Sequence, residues 1–314
     1  MKFLERAFDN ENQIWKYILV LFIGFFLGQM VGSIPLIAVL IVKMIRFEGD
    51  FQMPENFADF SAYGIDPNVG LVLMVIPFIT SLIIGILLVK GFHRRNYKEV
   101  INGGRSIRWN RVWLGVIVWG VLIGGYMLVD YLISPDNFIV QFNASSFIPL
   151  VFISVLLIPL QSGTEEFFFR GYLMQGVAAR TRSRWLSVLI PAVIFALIHS
   201  FNPEVEEYGF WTSMPGYLTF GVVFGITSVL DDGIEIAIGA HSINNVLSSI
   251  FLTSKSSVLQ TPALLFQKEV HPQKENWVLL VLAVLFIVIL TIRSNWKFRK
   301  LFEPLQKPEI SQKQ

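Results

Sequence analysis

Long apolar stretches dominate this chain and leave it few ways to fold. Hydrophobic residues make up 54% of its 314 residues and charged residues only 15%, with a mean hydropathy of +0.58. Water-soluble domains are less apolar and carry more charge. A bilayer core of about 30 Å is crossed by a helix of about 20 apolar residues. The sequence therefore predicts an all-α, polytopic membrane helical bundle.

Eight apolar segments are long enough to be membrane helices. They lie near residues 15–45, 69–92, 112–134, 147–178, 184–200, 215–231, 233–253 and 276–294. The first and fourth segments exceed one straight crossing, so we expect kinks or tilt at the helix breakers inside them, which are Gly32, Pro35, Pro159 and Gly163. The turn signal at residues 231–233 predicts that the sixth and seventh helices form an antiparallel pair.

The chain contains no cysteine. It therefore has neither a disulfide nor a thiol nucleophile, and metal sites with cysteine ligands are excluded. The first apolar run is too long for the core of a signal peptide, so we expect it to be a retained membrane helix. We expect residues 1–302 to form a single membrane domain and the polar tail, residues 303–314, to be disordered.

Basic residues are distributed unevenly among the predicted loops. They cluster between the second and third helices, at Lys90, Arg94, Arg95, Lys98, Arg105, Arg108 and Arg111, whereas the preceding loop is acidic. Basic loops stay on the cytoplasmic side, so this pattern predicts a multi-pass protein with both termini in the cytoplasm. The cysteine-free composition and the short chain without an organelle-targeting signal favour the cell membrane of a bacterium. The charges lie at helix ends, and we therefore expect membrane lipid, but no nucleic acid, as a partner.

A charged cluster interrupts the fourth apolar segment. Glu166 and Arg170 are four residues apart and can pair on one helix face, whereas the adjacent Glu165 points about 100° away. Ser162 precedes Glu165 at the spacing of a capping box, so we expect a new helical segment to begin here, in a cavity walled by the aromatic residues 167–169 or their neighbours. A charge network that only pins helices together would explain the same pattern.

Two histidines lie in or next to apolar runs. His199 follows Phe195 by one helical turn, so this ring can wall a site and hold the imidazole. His241 lies one turn before Asn245, and both therefore face one direction at membrane depth. Interhelical hydrogen bonding, with close packing at Gly239, would explain the amide better than it explains the histidine.

These residues together make a plausible hydrolase site. Glu165 and one histidine can remove a proton from water, while a second histidine and the Asn245 amide donate hydrogen bonds to an oxyanion. No serine has a recognisable base and orienting acid, so a covalent mechanism is disfavoured. Zinc bound by Glu165, His199 and His241 is the alternative, but the chain lacks the His-Glu-x2-His motif, and we expect no cofactor.

The three motifs, in this order, resemble those of the CAAX protease and bacteriocin-processing family (Abi, or CPBP) of intramembrane endopeptidases. The resemblance covers about residues 147–253, the expected catalytic core. It implies that Glu165 and His199 activate water and that His241 and Asn245 form the oxyanion hole. Structural or substrate-orienting roles are implied for the remaining motif positions, which are Glu166, Arg170 and Phe195.

The resemblance implies cleavage of a peptide or membrane-protein substrate, such as a membrane-associated or bacteriocin-like peptide. Two other classes of function remain open on the sequence. A non-catalytic immunity or scaffold protein would use the same bundle only to bind a partner. A proton-coupled transporter would also place Glu and His in the membrane, but no inverted repeat is visible.

Overall fold

The structure, a computed structural model, describes residues 3–8, 11–46 and 54–306. Its eight long helices are α1 Ile14–Ile45, α2 Pro67–His93, α3 Trp109–Ile133, α4 Ala144–Thr181, α5 Arg184–Phe201, α6 Phe210–Asp231, α7 Glu235–Phe251 and α8 Pro272–Ser294. Within these described ranges, all but α7 are long and apolar enough to cross a membrane. The predicted all-α membrane bundle is confirmed. The predicted count of about eight is approximate, because α7 has only 17 residues.

Short elements connect the long helices. Two are α-helical, Tyr97–Asn102 and Pro203–Tyr208. Two 3-10 turns, Phe60–Tyr63 and Pro135–Asn137, also lie between long helices, while Leu4–Phe8 precedes α1 and Phe298–Leu301 follows α8. A small sheet, absent from the sequence prediction, consists of β1 Phe138–Val140, β2 Leu252–Thr253 and β3 Leu265–Gln267. The central β3 pairs antiparallel with β1 and parallel with β2.

The two longest helices are irregular, but only one of them breaks where the sequence suggested. In α1, the helix is interrupted at Ser33, between Gly32 and the segment that contains Pro35. In α4, by contrast, α-helix continues unbroken from Ala144 to Glu166 and then widens into a π-helix at Phe167–Leu173.

The prediction that Ser162 caps a new helical segment at Glu165 is therefore wrong. The Ser162 hydroxyl donates to the side chain of Gln161 instead, and Pro159 and Gly163 lie inside the continuous helix. Membrane helices tolerate such residues because neighbouring groups satisfy the freed backbone atoms. Glu165 and Glu166 consequently lie at the end of the regular α-helical part of α4, Ala144–Glu166, rather than at the start of a new helix.

The connecting segments alternate between the two ends of the bundle. One end, the strand end, contains the sheet and the segments 54–66, 134–143, 202–209 and 252–271. Side-chain hydrogen bonds tie these segments together, for example from Asn56 to the carbonyl of Lys255 and between Tyr208 and Ser256. The opposite end, the basic end, contains the segments 3–8, 94–108, 182–183, 232–234 and 295–306. Which end faces the cytoplasm stays a prediction; of the predicted disordered tail, residues 307–314 lie outside the described residues.

The turn between α6 and α7 is fixed by ion pairs at the basic end. Asp232, within the predicted turn, adopts a left-handed conformation at φ 60°. Arg108 pairs with Glu235 at 2.6 Å and with Asp231 at 3.0 Å, so two buried carboxylates share one guanidinium. Gly233 leaves room beside them, because an added Cβ would displace the charged ends of the Glu235 and Arg108 side chains.

Close packing of α7 against α3 supports the site from behind. A Cβ added to Gly239 would clash with the backbone carbonyl of Val112, and one added to Gly115 would clash with that of Ile236. Small residues let membrane helices approach this closely, and van der Waals contact is a main source of their association. The position of α7 therefore depends on glycine at both points.

Gly239→Ala should lower the free energy of unfolding by about 1–3 kcal/mol, because the added methyl group must push α7 away from α3. The measurement is denaturant-induced unfolding of the purified protein in detergent. Gly125→Ala on α3 is the matched control, since nothing lies within 4 Å of its added Cβ. Equal stability of the two variants would contradict this account of the contact.

Candidate active site

A cavity of about 710 Å³ lies in the bundle and extends to the strand end. Its walls include parts of every long helix and of β2 and β3. Five of the seven residues singled out in the sequence line it, namely Glu165, Phe195, His199, His241 and Asn245. The other two, Glu166 and Arg170, are buried behind the wall. The structure thus brings together residues from α4, α5 and α7.

His241 lies between the two adjacent glutamates. Its Nδ1 is 2.7 Å from Oε1 of Glu166, and its Nε2 is 3.6 Å from Oε2 of Glu165. Because a carboxylate only accepts, Nδ1 carries the proton that is donated to Glu166. A second proton on Nε2 would give an imidazolium flanked by two carboxylates, and its Nε2–H would be available to an oxyanion in the cavity.

Glu166 and Arg170 form the expected pair. The guanidinium donates from Nη1 to Oε1 of Glu166 at 2.9 Å, and both side chains are fully buried. The guanidinium carbon also lies 4.0 Å from the ring centroid of Phe195, close enough for a cation–π contact. The pair does more than stabilise helix packing, since the same Glu166 oxygen also accepts a hydrogen bond from His241.

His199 is held by two contacts at the end of α5. Its Nδ1 donates to the backbone carbonyl of Phe195 at 2.6 Å, and its ring stacks on Tyr217 with 4.3 Å between centroids. With Nδ1 used as a donor, the neutral imidazole has its lone pair on Nε2. The ring is thereby fixed in the tautomer that can accept a proton at Nε2.

Gln161 is a site residue that the sequence reasoning missed. Its Nε2 donates to Oε1 of Glu165 at 2.6 Å, and its Oε1 accepts from Asn245 Nδ2 at 3.1 Å. Asn244 in turn donates to the Asn245 side-chain oxygen at 3.0 Å. The amide of Gln161 therefore joins the proposed water-activating carboxylate to the proposed oxyanion donor. Its position one turn before Glu165 was the available signal.

The aromatic wall of the cavity differs from the expected one. The rings at residues 167–169 pack in the core, where two of them contact Phe25. The cavity is lined instead by rings from other helices, Phe25, Phe78, Phe195 and Phe220. All three rings are buried in the core beside the π-helical segment of α4, so they do not line the cavity.

The arrangement does not fit a metal site. Among the described residues, no three His, Asp or Glu side chains converge closely enough to hold a metal ion. His241 donates Nδ1–H to Glu166 and His199 donates Nδ1–H to a backbone carbonyl, so each ring keeps one free nitrogen, as many as a metal ligand needs. Metal-free chemistry stays a prediction, which the lack of convergence among the described side chains supports.

Two comparisons with known proteins found a match. A family model described as type II CAAX prenyl endopeptidase Rce1-like matches residues 144–247. The uncharacterized protein YyaK of Bacillus subtilis (strain 168) is 30% identical over 254 residues, which are 81% of this chain and 83% of that protein. No solved structure gave a significant match. The family match spans every site residue from Glu165 to Asn245, and the chain therefore belongs to the Rce1-like family of CAAX-type intramembrane proteases.

Proposed function

We propose that the protein is an intramembrane endopeptidase in which Glu165 and His199 activate a water molecule. The observation that carries this proposal is that Glu165 and His199 line one cavity. His241 lines it too, with its Nε2 at 3.6 Å from Oε2 of Glu165. A carboxylate and an imidazole in such a cavity are suited to remove a proton from water. Family membership supports peptide-bond hydrolysis as the reaction.

The proposed reaction proceeds without a covalent intermediate. The water oxygen attacks the carbonyl carbon, and its proton passes to Glu165 or to Nε2 of His199. The carbonyl oxygen becomes an oxyanion that accepts hydrogen bonds from His241 and Asn245. Collapse of this tetrahedral intermediate breaks the C–N bond, and the departing amine takes up the proton. Glu166 acts here as the residue that orients His241.

We also propose that the basic end faces the cytoplasm of a bacterial cell, with membrane lipid around the bundle. The cavity then opens towards the extracytoplasmic side, because it is lined by segments of the strand end. A membrane-associated peptide on that side is the proposed substrate. Immunity or scaffold binding without catalysis remains the alternative, and proton-coupled transport is a weaker one.

A comparison of membrane peptides from wild-type and Glu165→Ala cells by mass spectrometry tests the proposed function. We expect at least one membrane peptide to be longer, or uncut, in the variant. Identical peptide profiles, together with an unchanged phenotype of His199→Ala and His241→Ala cells that still accumulate the protein, would exclude hydrolysis. Solute uptake driven by a pH gradient in proteoliposomes would favour transport instead.

Chelation should leave the activity of the purified protein unchanged, because the side chains of the site do not converge on a metal ion. The measurement is peptide cleavage before and after treatment with EDTA and with 1,10-phenanthroline. Activity that is lost on chelation and restored by zinc would overturn metal-free hydrolysis.

Gln161→Leu should reduce kcat by about 10- to 100-fold while KM changes little, because the substitution frees both Glu165 and Asn245 from their shared partner. The measurement is steady-state cleavage of one peptide substrate. Gln161→Glu is the informative companion, since it keeps an acceptor for Asn245 but places a second carboxylate beside Glu165. A change confined to KM would assign Gln161 to substrate binding instead.

A further inference from the structure

The charge of the cavity is one-sided. Four carboxylates line it, Asp130, Glu165, Glu204 and Glu275, whereas its described lining residues include no lysine or arginine. Asp130 pairs with Lys274 at 2.6 Å, and Glu165 faces His241. Glu204 and Glu275 form no ion pair with any residue in the described ranges. Lys274 and His271 nevertheless lie close enough to Glu275 to act on its charge, whereas no described cation acts on Glu204. Glu204 is therefore the uncompensated carboxylate of the cavity.

Glu204 is the more informative of the two, because it is connected to the proposed chemistry. Tyr217 stacks on His199 and donates its hydroxyl to Oε1 of Glu204, and Asn202 donates to the same hydroxyl at 2.7 Å. The second carboxylate oxygen, Oε2, has no hydrogen-bond partner among the described residues. One tyrosine side chain thus separates a carboxylate with spare accepting capacity from the proposed water-activating histidine.

The environment of Glu204 favours a positively charged ligand. Burial raises the pKa of its carboxyl above the ordinary value, although the hydrogen bond from Tyr217 opposes the shift. A carboxylate held in a partly dry site without a cation gains most from an incoming ammonium or guanidinium group. Protein neighbours supply no such group in the part of the chain that the structure describes.

We propose that the substrate carries a lysine or arginine side chain close to the bond that is cut, and that Glu204 binds this charge. The inference rests on the proposed protease function and names its substrate class. Only the side chain of Tyr217 lies between Glu204 and His199. Because an extended peptide advances about 3.3–3.6 Å per residue, that separation corresponds to about three residues, and the basic residue should lie within this distance of the scissile bond.

Matched fluorogenic peptides test the proposal on the purified full-length protein in detergent. All carry an acetylated N-terminus, so that only side chains supply positive charge, and they differ at one position that holds Lys, Met or Glu. We expect kcat/KM for the Lys peptide to exceed that for the Glu peptide by at least about tenfold.

Variants of Glu204 assign the selectivity to this residue. Glu204→Gln keeps the shape of the side chain and should bring the Lys-to-Glu ratio close to one, while Glu204→Lys should reverse it. Glu206→Gln, an exposed change on the same short helix, should keep the wild-type ratio. Thermal unfolding of each variant shows whether it is folded. Wild-type selectivity in Glu204→Gln, or equal cleavage of all peptides, would overturn the proposal.

Binding separates failure of this inference from failure of the proposed function. Affinities of the Lys and Glu peptides for the Glu165→Gln protein are measured without turnover. If the Lys peptide binds selectively but the wild-type protein never cuts it, the protease function alone is refuted. Cleavage without charge selectivity would refute the present inference alone, and the absence of both cleavage and binding would refute both.

Discussion

Glu165→Gln should reduce kcat for peptide cleavage by at least about a thousandfold while the free energy of unfolding changes little. A positioned general base contributes about 10²- to 10⁴-fold to such a reaction, and an amide cannot accept the proton of water. The glutamine keeps the shape of the side chain and an oxygen that can accept from Gln161, which bonds Glu165 at 2.6 Å. Single-turnover cleavage by purified protein provides the measurement.

The control for this result is Glu206→Gln, which removes an exposed carboxylate at the strand end. Its kcat should match that of the wild type. Residual activity above about a tenth of wild type in Glu165→Gln would show that another group takes the proton. His199→Ala should then be the more damaging change, and His199 rather than Glu165 would be the main acceptor of the proton.

Arg170→Met should lower the free energy of unfolding by about 3–5 kcal/mol, because it leaves the Glu166 carboxylate in the interior without its main counter-charge. Arg170 and Glu166 are 1% and 0% exposed, and their ion pair measures 2.9 Å. Methionine retains much of the apolar packing of the arginine stem. Unfolding of the purified protein by denaturant in detergent gives the value.

Two companion variants separate charge from packing. The double variant Glu166→Gln with Arg170→Met should recover part of the lost stability, since no unpaired charge then remains buried. Arg299→Met removes an exposed pair of the same spacing with Glu303, and its effect should stay below about 1 kcal/mol. A loss in Arg170→Met as small as that in Arg299→Met would contradict the structural role of the buried pair.

These two predictions give adjacent glutamates different expected effects. The sequence alone predicted this difference, because neighbouring residues on a helix point about 100° apart. The structure adds that Glu166 also accepts from His241 at 2.7 Å. Substitution of Glu166 should consequently impair both stability and catalysis, whereas substitution of Glu165 should impair catalysis alone.

Features that depend on neighbours along one helix were predictable. The Glu166–Arg170 pair and the contact of Phe195 with His199 both follow from helical periodicity. The capping prediction at Ser162 failed because it treated a proline and a glycine as helix ends, as in water. A helix inside a membrane continues through such residues, since ending there would leave backbone groups unsatisfied in hydrocarbon.

Contacts between distant segments were not predictable. Nothing in the sequence near His199 indicates that Tyr217 stacks on it or that Glu204 holds the tyrosine hydroxyl. Likewise, the bond from Asn245 to Gln161 joins α7 to α4 and depends on how these helices rotate against each other. Short strands such as β2, with two residues, carry no pattern to detect.

The sequence by itself determined that this chain forms a membrane bundle and which residues are chemically unusual in it. Both conclusions rest on solvation, because apolar runs favour the bilayer and ionisable groups are costly there. Only the tertiary structure decided what those residues do together. It placed His241 between two carboxylates, fixed the His199 tautomer and left the cavity without a described lysine or arginine. These properties arise from the packing of α4, α5, α6 and α7, which hydropathy does not specify.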